Sequence, residues 1–378
     1  MRFLLAFLLV SFAFTAKAQI GIGTNAPHAS AALEIKDTTK GILIPRMKLA
    51  QRTAIANPAD GLMVYQTDNT KGYWYFDGTQ WKSITGGGGS SSNGGKAIIT
   101  LTDTITNVQA QSKIAAEYGP NTIEILVFDC TNLTSLDLSS ITTTFYISIS
   151  SCPLLQNINL SSLTSIEGEG LDINDCPQLT TLNLSALQLL LTGEGGLSIN
   201  RTKISTLTLS ALKKAKGSLY IYDNPNLTAI SFPLLSQSIG RVDIIDNNLL
   251  TTISMPLVTS IKTVTISGNN ALGTLSFPAL TAITDSTFYN NSISNNANLT
   301  SIAFNNLSTF KSAGFDASGN KLPSVKINYL LNKFVSITPA LTSRYFYFQD
   351  QNPLAPPTGQ GITDAATLIS NGNSVTTD

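Results

Sequence analysis

The segment GLDINDCPQLTTLNLSAL (residues 170–187) decides the fold prediction, because aliphatic and polar residues alternate in two short runs within it. Leu171 and Ile173 form the first run, and Leu182 and Leu184 belong to the second. Such alternation is typical of β-strands, whose successive side chains point to opposite faces. Cys176 stands between the two runs, and its role depends on whether the segment recurs.

The same pattern recurs along most of the chain. Aligning the second aliphatic residue of each first run gives a column with steps of 22 to 27 residues, apart from a longer last step. The column contains Val127, Ile149, Ile173, Ile199, Ile221, Ile244, Ile266, Ile293, Ala317 and Phe348. A unit this short cannot enclose a core alone, whereas stacked units cover one another's aliphatic residues. The sequence therefore predicts a mainly β fold, a parallel β-solenoid of about ten coils spaced by about 4.8 Å.

A second column of equivalent positions, mostly cysteine or asparagine, follows each first strand where the chain is expected to turn. The position three residues beyond the aliphatic column holds Cys130, Cys152, Cys176, Thr202, Asn224, Asn247, Asn269, Asn296, Asn320 and Gln351. Cysteine therefore shares a position with asparagine, which favours a structural ladder of small side chains that satisfy a turn. Three cysteines and one distant histidine, His28, make a poor zinc set, and an odd cysteine count argues against a disulfide framework. We predict no metal, no cofactor and no catalytic residue.

Composition divides the chain into segments. Residues 1–18 have a basic start, an apolar run and an Ala-Lys-Ala end, which predicts a signal peptide cleaved after Ala18 and thus a secreted or cell-surface protein. We predict a small head at 19–85, a Gly/Ser linker at 86–95, an N-terminal cap at 96–122 with a helix near 105–118, the solenoid at 123–354, and a C-terminal cap at 355–378. Short helices are expected after Pro323 and at 363–370.

The charge balance argues against two classes of partner. Only 12% of residues are charged and the formal net charge is zero, so nothing favours nucleic acid or anionic membrane surfaces. After residue 18 no apolar run approaches the roughly 20 residues of a membrane span, so we expect no membrane insertion of the mature chain.

The repeats resemble known families. LTSLDLSSITT, LDINDCPQLTTLNLSAL and LYIYDNPNLTAISFPLL are similar to leucine-rich repeats, above all receptor L-domain-like repeats of cell-surface proteins, over residues 123–354. The resemblance implies adhesion, binding or wall-structural roles without catalysis. In the head, KGILIPRM, GLMVYQTD and YWYFDGTQW resemble a short module of secreted Bacteroidota proteins that precedes tail-fibre-like or repetitive domains.

Two further features bear on partners. The head is rich in aromatic residues, mostly expected in its own small core and partly at a subunit interface, so we expect a homo-oligomer formed through this module. These residues are Tyr73, Trp74, Tyr75, Phe76 and Trp81. On the solenoid, the residues expected to face outward and contact a protein or glycan ligand are Tyr220, Tyr222, Asp172, Asn174 and Asp243. Ordinary strand propensity is the alternative explanation for the tyrosines.

Three functions remain from the sequence. The first is a secreted or cell-surface, non-enzymatic binding or adhesion protein, and the second is a fibre-like, self-associating structural protein. The third is a polysaccharide-acting β-helix enzyme. It is the weakest, because Asp172, Asp243 and Asp316 are expected three coils apart, about 14 Å, whereas paired glycosidase carboxylates lie within about 10 Å.

Overall fold

The computed structural model describes residues 19–68, 71–83, 94–191, 195–236, 239–285 and 291–378. The chain divides into two compact units, residues 1–89 and residues 90–378. The predicted signal peptide and residues 86–93 of the predicted linker lie outside the described residues.

The described residues of the first unit form two small sheets and one short helix. The elements are β1 (Ile20–Ile22), β2 (Leu33–Ile35), β3 (Arg46–Met47), α1 (Leu49–Thr53), β4 (Met63–Gln66), β5 (Gly72–Phe76) and β6 (Trp81–Ser83). Strands β1 and β2 form a parallel pair, and β3–β4–β5–β6 form a second sheet that is parallel between β3 and β4 and antiparallel elsewhere.

The second unit is a parallel β-solenoid, which confirms the predicted fold class. Its longest wall is a path of twelve parallel strands in chain order. They are β7 (Ile98–Thr102), β8 (Glu124–Phe128), β10 (Thr143–Ser150), β12 (Ser165–Cys176), β15 (Gly196–Thr202), β18 (Ser218–Tyr222), β20 (Ile239–Ile245), β22 (Ser260–Ser267), β25 (Asn291–Ser294), β28 (Gly314–Asp316), β29 (Tyr345–Phe348) and β30 (Ser374–Thr377). Strand pairing follows the aliphatic column, with Ile149 opposite Ile173 and Ile173 opposite Ile199.

Shorter strands build the remaining walls of the coils. A second wall consists of β9 (Ser135–Asp137), β11 (Asn157–Asn159), β13 (Thr181–Asn183), β16 (Thr206–Thr208), β19 (Ala229–Ser231), β21 (Thr252–Ser254), β23 (Thr274–Ser276) and β26 (Ser301–Ala303). Of four two-residue strands, β14 (Leu189–Leu190) and β24 (Ala282–Ile283) pair with the long strands β12 and β22, while β17 (Lys214–Ala215) pairs with β14 and β27 (Thr309–Phe310) pairs with β24. The aliphatic side chains between these walls form one continuous buried core.

A left-handed backbone residue ends the long strand of each successive coil. It lies two positions after the aliphatic column and has a φ between 51° and 69°. The residues are Asp103, Asp129, Ser151, Asp175, Arg201, Asp223, Asp246, Gly268, Asn295, Gly319 and Asp350. Asp, Asn and Gly predominate because they adopt this conformation at the lowest cost. The sharp turn directs the residue that follows, such as Asn224 after Asp223, back toward the core.

Both ends of the solenoid are strand–helix coils rather than separate caps. Helix α2 (Asn107–Glu117) follows β7, α3 (Ser324–Val335) follows β28, and α4 (Gln360–Ser370) precedes β30. The predicted cap segments at 96–122 and 355–378 thus each contain a strand that the sequence did not reveal. The reason is local: α2 begins where the repeat would place its next leucine, and β30 carries polar Thr377 in the aliphatic column.

The end of the predicted linker is part of the solenoid unit. Gly94 is buried, and its carbonyl oxygen accepts a hydrogen bond from the backbone N–H of Asn121. Gly95 has a φ of 72°, and a Cβ there would collide with the backbone of Gly119. Glycine at these positions therefore allows the two backbone segments to pack closely.

Candidate functional site

The asparagines at the predicted ladder positions are buried and bonded from coil to coil. Asn247 Nδ2 donates to the carbonyl oxygens of Ile221 and Ile245, both at 3.0 Å, and its Oδ1 accepts from the backbone N–H of Asn224 at 3.1 Å. Asn269 repeats the arrangement one coil further on. Each asparagine side chain thus bonds to one backbone carbonyl of its own turn. It also bonds to one carbonyl and one N–H of the preceding coil, and so links the two coils.

The cysteines occupy the same positions with far fewer bonds. Cys130, Cys152 and Cys176 are reduced and have no exposed surface. The Cys152 thiol lies 3.2 Å from the carbonyl oxygen of Ser150, and Cys176 lies 3.5 Å from that of Asn174. Burial raises the pKa of the Cys130 thiol to about 12, so this thiol is not a nucleophile at neutral pH.

Three of the five predicted ligand-contacting residues are occupied by contacts within the protein. The Tyr222 hydroxyl donates to Asp243 Oδ2 at 2.7 Å, and Arg241 Nε lies 2.5 Å from the same oxygen. Asp243 is only 1% exposed, so the expectation that it faces solvent is wrong: Tyr222 and Arg241 cover it on the outer surface of the sheet. Burial, followed by the bond to Asp243, raises the pKa of Tyr222.

Asn174 belongs to a second cluster of side chains that bond to one another. Its Oδ1 accepts from Arg201 Nη2 at 2.6 Å, while the Arg201 guanidinium also pairs with Asp175 on the preceding coil. Hydrogen bonding from Arg201 lowers the pKa of Asp175. The cluster stabilises adjacent turns and leaves the Asn174 oxygen engaged.

The other two predicted residues, Asp172 and Tyr220, line a shallow groove of about 370 Å³ on the outer face of the long wall. Other groove residues are Tyr146, Glu169, Gly196 and Ser198. Pairing places Tyr146, Gly170, Gly196 and Ser218 in one row across four strands, with Ser148, Asp172, Ser198 and Tyr220 in the adjacent row. The sequence prediction missed Tyr146 because it lies in a different row, although the neighbouring glycines were a readable signal.

The described residues of the first unit form almost no core of their own. They include three buried side chains: Arg52, Val64 and Gln66. Large apolar residues are exposed instead, namely Ile20, Ile22, Leu33, Ile42, Leu43, Leu62, Met63 and Tyr73. None of the five head aromatics is buried, so the expectation that most form a small core is wrong.

Among the described residues of this unit, Arg52 is a buried cation, and it lies against aromatic rings. The Arg52 guanidinium carbon is 3.8 Å from the ring centroid of Trp74 and 5.3 Å from that of Trp81. Burial lowers the pKa of Arg52, and its Nε and Nη1 atoms have no hydrogen-bond partner in the described structure. Cation–π attraction offsets part of the cost of burying this charge.

A comparison with protein families finds a match in the N-terminal part of the chain. Residues 21–104 match the family model described as a phage tail like trimerisation region. The match covers less than a quarter of the chain, the first unit and the first solenoid strand, β7. No curated protein matches the chain, and no solved structure does.

Two other kinds of site were sought in the described parts of the chain. No group of three or more His, Cys, Asp or Glu residues there is arranged to hold a metal ion. No helix within the same residues is long and apolar enough to cross a bilayer.

Proposed function

We propose that this chain is a subunit of a trimeric, fibre-like surface structure, in which the N-terminal region associates three chains and each chain contributes one β-solenoid. The observation that carries the proposal is the apolar surface of a unit whose residues match a trimerisation region. A module of this size gains a core by associating with copies of itself.

The exposed strands of the first unit support a second copy as the partner. Strands β1 and β2 form an isolated parallel pair whose Ile20, Ile22 and Leu33 side chains are all more than half exposed. A two-stranded pair is at best marginally stable in water. Leu43 is 80% exposed, and burying a leucine side chain contributes about 2 kcal/mol. Three chains that share these side chains would form the core that one chain lacks.

The proposal also includes export from the cell, the family relationship of the solenoid and the absence of catalysis. Residues 1–18 support export, and the leucine and isoleucine columns support a relationship of the solenoid to leucine-rich, receptor L-domain-like surface proteins. We propose that the protein is not an enzyme, since Asp243 is enclosed by Tyr222 and Arg241 and its carboxylate cannot pair with a second catalytic carboxylate. Ligand binding is a second candidate function, favoured by the groove between Tyr146 and Tyr220.

A pair of matched substitutions tests the trimer. Leu43→Asp changes an 80% exposed leucine in the first unit, and Leu354→Asp changes a 73% exposed leucine in the solenoid. In sedimentation velocity of the mature chain, residues 19–378, we expect Leu43→Asp to dissociate the trimer, because its carboxylate would be buried between chains. Leu354→Asp should sediment as the unchanged protein does. Equal behaviour of the two variants would count against assembly through the first unit.

A further inference from the structure

Two tyrosines lie at opposite ends of the groove on the long wall. Tyr146 lies on β10 and Tyr220 on β18, three strands further along and one row over. With strands about 4.8 Å apart and rows about 6.7 Å apart, their Cα atoms are separated by about 16 Å. Both side chains are partly exposed, so each presents an aromatic surface to solvent.

Glycines keep the floor between the tyrosines free of side chains. Gly170 and Gly196 follow Tyr146 in its row. A Cβ at Gly170 would collide with the backbone of Gly196, and a Cβ at Gly196 would collide with the backbone of Ser218. Close packing of the coils therefore requires glycine here. Gly196 lines the groove and Gly170 is buried beside it, so no side chain of this row stands on the two strands between the tyrosines.

Unused hydrogen-bonding groups border this floor. Across the described residues, neither the Asp172 nor the Glu169 carboxylate forms a hydrogen bond or ion pair with the protein, in contrast to Asp243 and Asn174. Ser198 Oγ accepts a hydrogen bond from Asn200 Nδ2 at 2.9 Å, which leaves its hydroxyl hydrogen to donate outward. The groove thus offers two negatively charged acceptors and one donor beside its aromatic ends.

We propose that this groove binds a short, neutral oligosaccharide. A sugar ring has an apolar C–H face that packs on a tyrosine ring, and hydroxyl groups at its edge that donate to carboxylates. Asp172 and Glu169 accept from these hydroxyls, and their charge repels sugars that carry carboxylates. The inference goes beyond the proposed assembly and does not depend on it, since the groove lies within one solenoid.

A peptide fits the same surface less well. Strands β10, β12, β15 and β18 each have a strand on both sides, so none offers a free edge for strand addition. The groove is shallow and provides no apolar pocket for a peptide's anchoring side chain. Ring stacking with hydrogen bonds around the ring edge is the recognition that the residues present support.

The test begins with binding of the mature chain to immobilised neutral oligosaccharides of the gluco-, manno-, galacto- and chito- series. Oligosaccharides of uronic acids and lysine-containing peptides serve as probes of the competing ligand classes. We expect at least one neutral series to bind and the uronic acid series to be rejected. Absence of any neutral sugar binding, or a preference for peptides or anionic sugars, would overturn the proposal.

Substitutions then locate the site by titration calorimetry with the best neutral ligand. Tyr220→Ala should weaken binding by about tenfold, the loss of one aromatic stacking contact. Tyr347→Ala is the matched control, because Tyr347 lies in the same outward row five strands away. Asp172→Asn should weaken the neutral ligand and reduce the discrimination against uronic acids. Circular dichroism checks that each variant is folded. Equal losses for Tyr220→Ala and Tyr347→Ala would refute the assigned location.

Discussion

Removing one rung of the asparagine ladder should cost far more stability than removing a cysteine from the same column. In Asn247→Ala, the carbonyl oxygens of Ile221 and Ile245 and the backbone N–H of Asn224 each lose a side-chain partner at 3.0–3.1 Å. A buried polar group left without a partner costs about 1–3 kcal/mol, and part of the loss is recovered by relaxation. We therefore expect a destabilisation of about 4 kcal/mol.

Cys152→Ala is the matched control at an equivalent corner. Its thiol contacts the carbonyl oxygen of Ser150 at 3.2 Å and the cysteines of the two adjacent coils, and it behaves mainly as a small apolar group with weak hydrogen bonds. Its removal leaves a small cavity worth about 1–2 kcal/mol. The difference between the two variants isolates the hydrogen-bond contribution of asparagine, because both side chains are completely buried.

Urea unfolding followed by far-ultraviolet circular dichroism measures this difference through the transition midpoints. The native cysteines provide a second readout, since none of the three has exposed surface and a thiol reagent reaches them only after the coils open. A loss of stability in Asn247→Ala equal to or smaller than that in Cys152→Ala would refute the reasoning. The asparagines would then be space-filling residues rather than the bonds between coils.

Three further predictions follow from the outer surface of the solenoid. Tyr222→Phe should destabilise the protein by about 2 kcal/mol in urea unfolding, because buried Asp243 loses the hydroxyl that donates to it; an unchanged midpoint would contradict this. Gly170→Ala should destabilise by more than about 1 kcal/mol, as its φ of 117° and the adjacent backbone leave no room for a Cβ. Hydrogen bonding from Arg201 lowers the pKa of Asp175. The pair therefore stabilises the fold at pH values above the ordinary aspartate pKa of about 3.9, and this stabilisation is lost as the pH falls through the lowered pKa. Because both side chains are about half exposed, Asp175→Asn should cost only about 0.5 kcal/mol at pH 7 and nothing in strong acid, and a cost that persists in acid would disagree.

The repeat made the solenoid predictable from sequence. A recurrence every 22 to 27 residues, as between Ile149, Ile173 and Ile199, indicates stacked coils, since these bring equivalent residues into register. The same spacing predicted that Cys176 and Asn224 would occupy equivalent corners. The terminal strands β7 and β30 were missed, because a repeat in which a helix replaces the second strand, or a threonine replaces an aliphatic residue, no longer matches the pattern.

The candidate site was less accessible to sequence reasoning. Alternation correctly places Asp243 on the outer face of a strand, yet it says nothing about side chains from the adjacent coil and from the same strand that fold over that position. Tyr222 and Arg241 do so, and they remove Asp243 from solvent. The apolar surface of the first unit was also underestimated, because composition alone does not distinguish a core formed within one chain from a core shared between chains.

The most direct test of the account is the molar mass in solution. Light scattering on the mature chain and on residues 94–378, which lack the first unit, measures assembly with and without the trimerisation-like region. We predict three chains per particle for the mature protein and one chain per particle for the truncated form. A mature chain that is monomeric, or a truncated form that remains trimeric, would contradict assembly through the N-terminal region.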